Sequence, residues 1–169
     1  MSERGDQGLT EGECLLTVSK DSPFVEAVGA IDEFQARLGL ARVLIEEKKE
    51  NRKIYEIEKD LHEVMGSLYI GQNWKNGERR VKEIKNDGDE YKKIVRDRVG
   101  NLEDFLFPGE NELEARLNSC RTGCRTAERR VRTLQRERKE KEDLEMDKNI
   151  LSYFNRLSYF LNWMWRSKL

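Results

Sequence analysis

The sequence predicts an all-α fold, an antiparallel five-helix bundle in which residues 1–169 form one domain. The chain contains only two prolines and twelve glycines, too few for a protein built from many tight turns. Charged residues make up 38% and hydrophobic residues 37%, a balance typical of helices with one apolar stripe and an ionic outer surface. Apolar residues recur at spacings of three, four and seven in five segments, which gives the number of helices.

An irregular arm is expected before the first helix. Residues 1–21 contain Gly5, Gly8 and Gly12 and show no amphipathic period. The first helix should begin at Ser22-Pro23, a hydroxyl cap followed by proline at the first helical position, and run to about Glu47. Its apolar positions are Phe24, Val28, Ile31, Leu38 and Ile45.

Two further helices are predicted in the middle of the chain. The second ends near Gly71, and its stripe consists of Ile54, Ile57, Leu61, Val64 and Leu68. The polar, glycine-punctuated span 73–88 is predicted to be a loop. A weaker third helix then ends before the Pro108-Gly109 turn, and its apolar residues are Tyr91, Ile94, Val95 and Leu102.

The fourth helix has the clearest period in the chain. Its apolar residues alternate in steps of four and three, which is the seam of a helical bundle: Leu113, Leu117, Cys120, Cys124, Ala127, Val131 and Leu134. The fifth helix is predicted over about 147–167, with Ile150, Phe154, Leu157, Leu161 and Met164 on one face. Mostly short connections make antiparallel neighbours the expected arrangement.

Charge and composition exclude several classes of function. With 32 basic and 33 acidic residues the net charge is -1, so no global field attracts nucleic acid or an anionic membrane. The start has no apolar run typical of a signal peptide and no stretch reaches membrane-span length, so a cytoplasmic protein is expected. Cys120 and Cys124 are interpreted as buried small residues, His62 as a structural side chain, and no protein metal site is predicted. No Ser-His-Asp or Cys-His nucleophile set can be assembled.

Four arginines form a stripe on the fourth helix. Their spacing places them beside the apolar seam: Arg121, Arg125, Arg129 and Arg132. Guanidinium groups suit bidentate contact with phosphate oxygens, so the stripe could hold a polyphosphate. The alternative is a solvated cationic face on an ion-paired helix.

Three other features also allow two readings. Gly5-Asp6-Gln7-Gly8-Leu9-Thr10 could wrap backbone N–H groups around phosphate, or it could be a flexible tail. Asp32 borders an apolar stripe, where a carboxylate is usually paired with arginine, within the subunit or across an interface. An aromatic group is either core or interface surface, or the wall of a site for a large flat ligand: Phe105, Phe107, Tyr153, Phe154, Tyr159, Phe160, Trp163 and Trp165.

Six blocks of residues follow one another along nearly the whole chain. The blocks are Gly5-Asp6-x-Gly8-x-Thr10, Ser19-Lys20-Asp21-x-Pro23, Val25-Glu26-Ala27-x-Gly29-x-Ile31-Asp32-Glu33-Phe34, Phe105-x-x-Pro108-Gly109, Arg121-Thr122-x-Cys124-Arg125-x-Ala127-Glu128-Arg129-Arg130 and Tyr153-Phe154-Asn155-Arg156-Leu157-Ser158. In this order they resemble the sequence of the PduO-type ATP:corrinoid adenosyltransferases. The Cys-Arg-x-Ala-Glu-Arg and Asn-Arg-Leu-Ser blocks are the most specific parts of the resemblance.

The resemblance implies a homotrimer of five-helix bundles with ATP and the corrinoid at the interfaces between subunits. Co(I) of a reduced corrinoid such as cob(I)alamin would attack the 5′ carbon of ATP, which gives adenosylcobalamin and triphosphate. ATP and the corrinoid are then substrates, Mg²⁺ accompanies the phosphates, and a reductase and a cobalamin-dependent enzyme are possible partners. Neither nucleic acid nor a membrane is an expected partner.

The resemblance also implies roles for individual residues. Arg125 would pair with Asp32 of a neighbouring subunit, and Arg129 would contact the phosphates. Phe105 and Phe107 are the residues expected to form an apolar wall over the corrin. The ATP-binding residues would be Gly5, Asp6, Gly8, Thr10, Lys20, Arg125, Arg129, Asn155 and Arg156.

The chain departs from the family pattern at several positions. Arg4 replaces a threonine, Phe24 an arginine, Val28 a tyrosine, Glu110 a glycine and Tyr159 an aspartate. ATP affinity or substrate choice is therefore expected to differ from the family norm. The alternative function is a non-catalytic protein on the same scaffold that binds or delivers a nucleotide or corrinoid.

Overall fold

The computed structural model describes residues 3–100, 106–142 and 145–169. These residues form an N-terminal arm followed by five α-helices, as the sequence predicted. The helices are α1 (Pro23–Arg42), α2 (Lys48–Ile70), α3 (Gly77–Val99), α4 (Glu112–Glu142) and α5 (Lys148–Arg166). Within the described parts of the chain, every helix is too short or too polar to span a bilayer.

Helix α1 runs antiparallel to α2, α2 to α3, and α4 to α5. Phe24 at the start of α1 meets Tyr69 at the end of α2 edge to face, with ring centroids 5.0 Å apart, while the last residue of α1, Arg42, donates to Glu58 in the middle of α2. Helices α2 and α3 are joined by the hydrogen bonds Asp60–Arg80 and Glu50–Tyr91, so an earlier residue of α2 meets a later residue of α3. Helices α4 and α5 show the same reversal of direction in the hydrogen bonds Cys124–Phe154 and Asn111–Lys168. The predicted antiparallel order is thus confirmed for these pairs.

Helix α4 packs against two other helices of the bundle. Helix α1 packs mainly on α4, and α5 packs on both α4 and α3. The predicted seam of α4 faces this core, and Leu117, Cys120, Cys124, Ala127, Val131 and Leu134 are all buried. Burial raises the pKa of the Cys120 thiol to about 12 and also raises that of Cys124, which confirms that both behave as small core residues.

The first helix is shorter than predicted. It ends at Arg42, and Glu47 does not close α1 but caps α2, accepting from the amides of Lys49 and Glu50 at 3.0 and 2.6 Å. Ile45, in the connection, is still buried against the core. The apolar period therefore continued across a break in the helix.

The predicted loop over 73–88 is wrong, because α3 begins at Gly77. Gly88 is buried in this helix, and a Cβ placed there would lie 2.7 Å from Cδ1 of Tyr159 on α5. The glycine thus permits close helix packing and does not mark a turn. It completes a three-and-four period with Val81, Ile84 and Tyr91 that the surrounding charges concealed.

The arm is more regular than predicted. It holds a 3-10 turn (Glu3–Gln7) and two antiparallel strands, β1 (Leu9–Glu11) and β2 (Thr17–Ser19), joined through a second 3-10 turn (Glu13–Leu15). Thr10 pairs with Val18 in this hairpin. Because the strands are only three residues long, they carry no clear period-2 pattern in the sequence.

Candidate functional site

The four arginines of the stripe on α4 differ from Arg116, Arg130 and Arg138 of the same helix. Towards the two ends, Arg116 pairs with Glu112 at 3.1 Å and Arg138 with Glu13 at 2.7 Å, while Arg130 reaches Glu26 on α1 at 3.3 Å. None of the four stripe guanidiniums has a carboxylate within 4.0 Å among the described residues. Neutral oxygens accept instead from three of them: Asn118 from Arg121, Thr126 from Arg129 and Gln135 from Arg132, at 2.9 to 3.1 Å.

The stripe is therefore positively charged without internal compensation. Burial lowers the pKa of Arg121, and the positive charges of Arg125 and Arg166 lower it further. Like charges held this close stabilise a bound anion, because binding relieves their repulsion. Arg125, Arg129 and Arg132 are exposed on a helix that carries ion pairs elsewhere, so the polyphosphate site and the solvated cationic face both stay predictions.

A surface cleft of about 530 Å³ lies at the stripe, between α4 and α5. Its lining includes Arg129 and Arg132, with Leu151 contributed by α5. We call it the arginine cleft. Asn155 follows Leu151 by one helical turn, so both lie on the same side of α5, and Arg156 is adjacent in sequence; both are exposed. Arg125 precedes Arg129 by one turn and is likewise exposed.

A second cleft, of about 470 Å³, lies between α1 and α2. We call it the aspartate cleft, because Asp32 on α1 lines it together with Thr10 from the arm. A Cβ added at Gly29 or Gly66 would meet no protein atom within 4 Å, so the cleft is open above both helices. The structure thus brings Thr10 and Asp32 together, on a different helix pair from Arg125 and Arg129.

The rest of the predicted nucleotide arm is gathered at the open end of the hairpin. Lys20 donates its Nζ to the carbonyl of Gly5 at 2.6 Å, and its amide donates to the carbonyl of Gly8 at 2.8 Å. Gly8 has a positive φ of 74°, a conformation that favours glycine. Asp6 is exposed in the same turn.

The aromatic residues divide between core and surface. Tyr153, Phe154, Phe160 and Trp165 are buried, so these four belong to the core. Phe107 is 79% exposed, so its ring belongs to the surface. Phe105 lies outside the described residues.

The α2 side of the aspartate cleft was not predicted from the sequence. His62 was interpreted as structural, yet it is exposed and lines the cleft with Met65, Gly66 and Tyr69. These residues follow each other at helical spacing on α2, which places them on one side of that helix. That spacing was the available signal, but their mixed chemistry gave no reason to group them.

The fold is a helical bundle in which a row of arginines on α4 has no carboxylate partner among the described residues. A model of the family described as cobalamin adenosyltransferase matches residues 1–168, so this chain belongs to the cobalamin adenosyltransferase family. The corrinoid adenosyltransferase of Bacillus subtilis (strain 168) is 30% identical over 166 residues, 94% of this chain and 79% of that protein. The corrinoid adenosyltransferase PduO of Salmonella typhimurium is 30% identical over 158 residues, 91% of this chain and 45% of its own length.

Solved structures share the fold. A variant of the PduO-type ATP:corrinoid adenosyltransferase from Lactobacillus reuteri, complexed with cobalamin and ATP, superposes with a TM-score of 0.85 and 24% identity, covering 99% of this chain and 92% of that one. Another variant of that protein, complexed with ATP, gives a TM-score of 0.83 over 98% and 91% of the two chains, also at 24% identity.

Proposed function

We propose that this chain transfers the 5′-deoxyadenosyl group of ATP to cob(I)alamin or a related reduced corrinoid and releases triphosphate. The observation that carries the proposal is the uncompensated arginine stripe at a cleft, in a chain that belongs to the cobalamin adenosyltransferase family. The relatives named corrinoid adenosyltransferases support the reaction. The related structure complexed with cobalamin and ATP supports both substrates.

The reaction requires that the two substrates be positioned and that the charge of the leaving triphosphate be stabilised. The nucleophile is the electron pair of Co(I); the cobalt–carbon bond forms as the bond between C5′ and the phosphate oxygen breaks, and triphosphate leaves with that bond's electrons. Preorganised arginines stabilise the charge that develops on triphosphate. In-line attack requires C5′ to be held over the cobalt, which is a positioning task. This chemistry needs no general base.

The proposed assembly is a homotrimer with sites at the subunit interfaces. In one chain the aspartate cleft and the arginine cleft lie on different helix pairs, and Asp32 and Arg125 are both exposed without an ionic partner among the described residues. A head-to-tail interface would bring the two clefts together, and three such interfaces close a ring. Asp32 of one subunit would then pair with Arg125 of the next and complete a site that a single chain leaves open.

Mg²⁺ is proposed to arrive with the phosphates of ATP. The described residues contain no group of three or more His, Cys, Asp or Glu side chains that could hold a metal ion alone. Mg²⁺ often keeps several waters and binds through one or two carboxylates plus substrate phosphates, and the arginine cleft offers one carboxylate, Glu128. The residues present fit that mode, and the ion would neutralise part of the triphosphate charge.

The corrinoid is proposed to bind against Phe107 and Phe105. A side chain without a lone pair cannot serve as the lower axial ligand of cobalt, and four-coordinate Co(II) is easier to reduce to Co(I). The exposed ring of Phe107 fits this role. A reductase that supplies Co(I) and a cobalamin-dependent enzyme that receives the product are the partners such a cycle would need.

The test is anaerobic incubation of the pure protein with chemically reduced cobalamin, ATP and Mg²⁺, following the absorption band of Co(I). We expect ATP-dependent loss of the band and a product whose cobalt–carbon bond is cleaved by light. A persistent band together with measurable uptake of ATP or cobalamin would instead establish the alternative, a binding or delivery protein on this scaffold.

A further inference from the structure

A largely buried ion pair fastens the arm to the bundle. Nη2 of Arg138, on α4, lies 2.7 Å from Oε2 of Glu13, in the turn between β1 and β2, and the two side chains are 8% and 22% exposed. The same Nη2 donates to the carbonyl of Leu68, in the last turn of α2, at 3.2 Å. One guanidinium therefore joins the arm, α4 and α2. We call the Glu13–Arg138 pair the arm latch.

The Glu13 carboxylate lies where its charge is unfavourable without Arg138. Gly71 caps α2 in a left-handed conformation, and a Cβ built on it would lie 3.0 Å from Oε1 of Glu13. The carboxyl end of a helix carries partial negative charge from its unpaired carbonyls, which repels a carboxylate. Arg138 offsets this repulsion, because it binds both a carbonyl of that helix end and Glu13. Loss of its charge would favour release of the turn.

The backbone next to Glu13 is also held in a costly conformation. Cys14 has φ 51° and ψ 32°, and among the described residues it is the non-glycine residue with positive φ. Such a conformation persists where surrounding contacts hold it. The contacts here are the arm latch and the hydrogen bond from the amide of Gly12 to the carbonyl of Leu16, at 2.7 Å.

The latch and the proposed ATP-binding residues lie at opposite ends of the same hairpin. Glu13 is in the closed turn, whereas Gly8 and Lys20 meet at the open end. Thr10 lies between them on β1 and reaches the aspartate cleft. Fixing the turn against α2 and α4 therefore fixes the position of Thr10 at the cleft and the position of the open end of the hairpin.

We propose that Glu13 and Arg138 are positioning residues for ATP: their ion pair holds the arm docked, so that Gly5–Thr10 and Lys20 are in place before the nucleotide binds. The inference rests on the proposed function, since ATP is the ligand that the arm would hold. Neither residue touches a reacting group. Because only the docked arm binds, the apparent affinity equals the intrinsic affinity multiplied by the fraction of molecules in which the arm is docked.

The test compares Glu13→Gln with a matched control, Glu58→Gln. Glu58 pairs with Arg42 across α1 and α2 at 3.1 Å, with 12% and 35% of the side chains exposed, and lies away from the arm. For Glu13→Gln we expect the KM for ATP to rise about tenfold and kcat at saturating ATP to stay within about twofold. NMR hydrogen exchange should show faster exchange at the amides of Gly12 and Lys20. Glu58→Gln should leave all three quantities near those of the parent protein.

A second variant covers the case in which Glu13→Gln unfolds because the Arg138 charge is left buried and unpaired. The double variant Glu13→Gln/Arg138→Gln removes both charges, and we expect the same rise in KM and the same local exchange. An unchanged KM with unchanged exchange, or a fall in kcat at constant KM, would overturn the proposal. If the parent protein forms no adenosylcobalamin, the proposed function fails, but the exchange rates still decide whether the latch docks the arm.

Discussion

Arg80 and Arg129 show two opposite uses of arginine in one small bundle. Arg80, on α3, binds Asp60 of α2 through two nitrogens, with Nε 2.7 Å from Oδ1 and Nη2 2.6 Å from Oδ2. Tyr153 of α5 donates to the same carboxylate at 2.5 Å. Arg129, on α4, is exposed, and among the described residues its guanidinium hydrogen-bonds only to the hydroxyl of Thr126. The guanidinium of Arg80 is bound to a carboxylate inside the fold, whereas that of Arg129 has no carboxylate partner among the described residues.

The pKa shifts follow the same division. Burial on its own lowers the pKa of Arg80, but the hydrogen bonds and charge of Asp60 outweigh it and raise the pKa above its ordinary value. For Arg121, burial lowers the pKa and the neighbouring positive charges of Arg125 and Arg166 lower it further. A cation compensated inside the chain stabilises the fold, whereas uncompensated cations side by side indicate an anion site.

The largest expected effect is on stability at the buried pair. Arg80→Met would leave the Asp60 carboxylate buried without its cation, which costs about 3–5 kcal/mol of the free energy of unfolding. The neighbouring Arg79→Met is the control: Arg79 is 61% exposed and pairs with Glu83, so its loss should cost at most about 1 kcal/mol. Urea denaturation measures both. Equal losses of unfolding free energy in the two variants would mean that the buried Arg80–Asp60 pair contributes no more than the exposed Arg79–Glu83 pair.

The next effect is on catalysis with stability preserved. Arg129→Ala should lower kcat/KM for ATP-dependent product formation by about 10² to 10³, the usual cost of removing one charge-stabilising donor, while the urea midpoint hardly moves. Arg116→Ala is the control on the same helix, because Arg116 is already paired with Glu112. If Arg129→Ala turned over at the parent rate, the arginine cleft would not be the phosphate site.

Much of the fold was predictable because each long helix carries its own apolar period. The seam through Cys120 and Cys124 located α4 and its burial correctly. The prediction was wrong for the start of α3, because Gly88 occupies a core position of the period and its role depends on Tyr159, a residue 71 positions away on α5. Local sequence cannot report a contact of that kind.

The site was predictable as residue types but not as pairings. Spacing placed the four arginines on one stripe, yet it could not show that Arg130 finds Glu26 on α1 while Arg125 finds no carboxylate. That difference arises from the packing of α4 on α1, because this packing brings Glu26 of α1 within reach of Arg130. The arm latch was missed for the same reason, because Glu13 and Arg138 are far apart in sequence.

A smaller effect tests whether the two clefts meet across an interface. In the proposed homotrimer, Asp32→Ala and Arg125→Ala should each leave little activity. Mixed after mild dissociation, they should recover about a quarter of the parent activity, because about one interface in four of randomly mixed rings combines an intact Asp32 with an intact Arg125. No recovery, although mass spectrometry showed mixed assemblies, would mean that Asp32 of one subunit and Arg125 of the next do not complete a shared site.

The smallest effect concerns a carboxylate held by neutral donors. Glu63 accepts from Nδ2 of Asn76 and Nε1 of Trp74, both at 2.9 Å, and these hydrogen bonds lower its pKa below the ordinary 4.5. A carboxyl whose pKa is lower in the folded state stabilises the fold above its unfolded pKa, and that contribution is lost as the pH falls through the folded pKa.

Glu63→Gln should therefore destabilise the protein at neutral pH by less than about 1 kcal/mol, since the group is largely solvated. The difference between parent and variant in the free energy of unfolding should shrink below pH 4.5, as urea titrations from pH 7 downward would measure. A difference that stays constant on acidification would mean that the Glu63 charge contributes nothing. A partner group would then stabilise the charge of an ion pair such as Arg80–Asp60, but neutral donors would not stabilise that of Glu63.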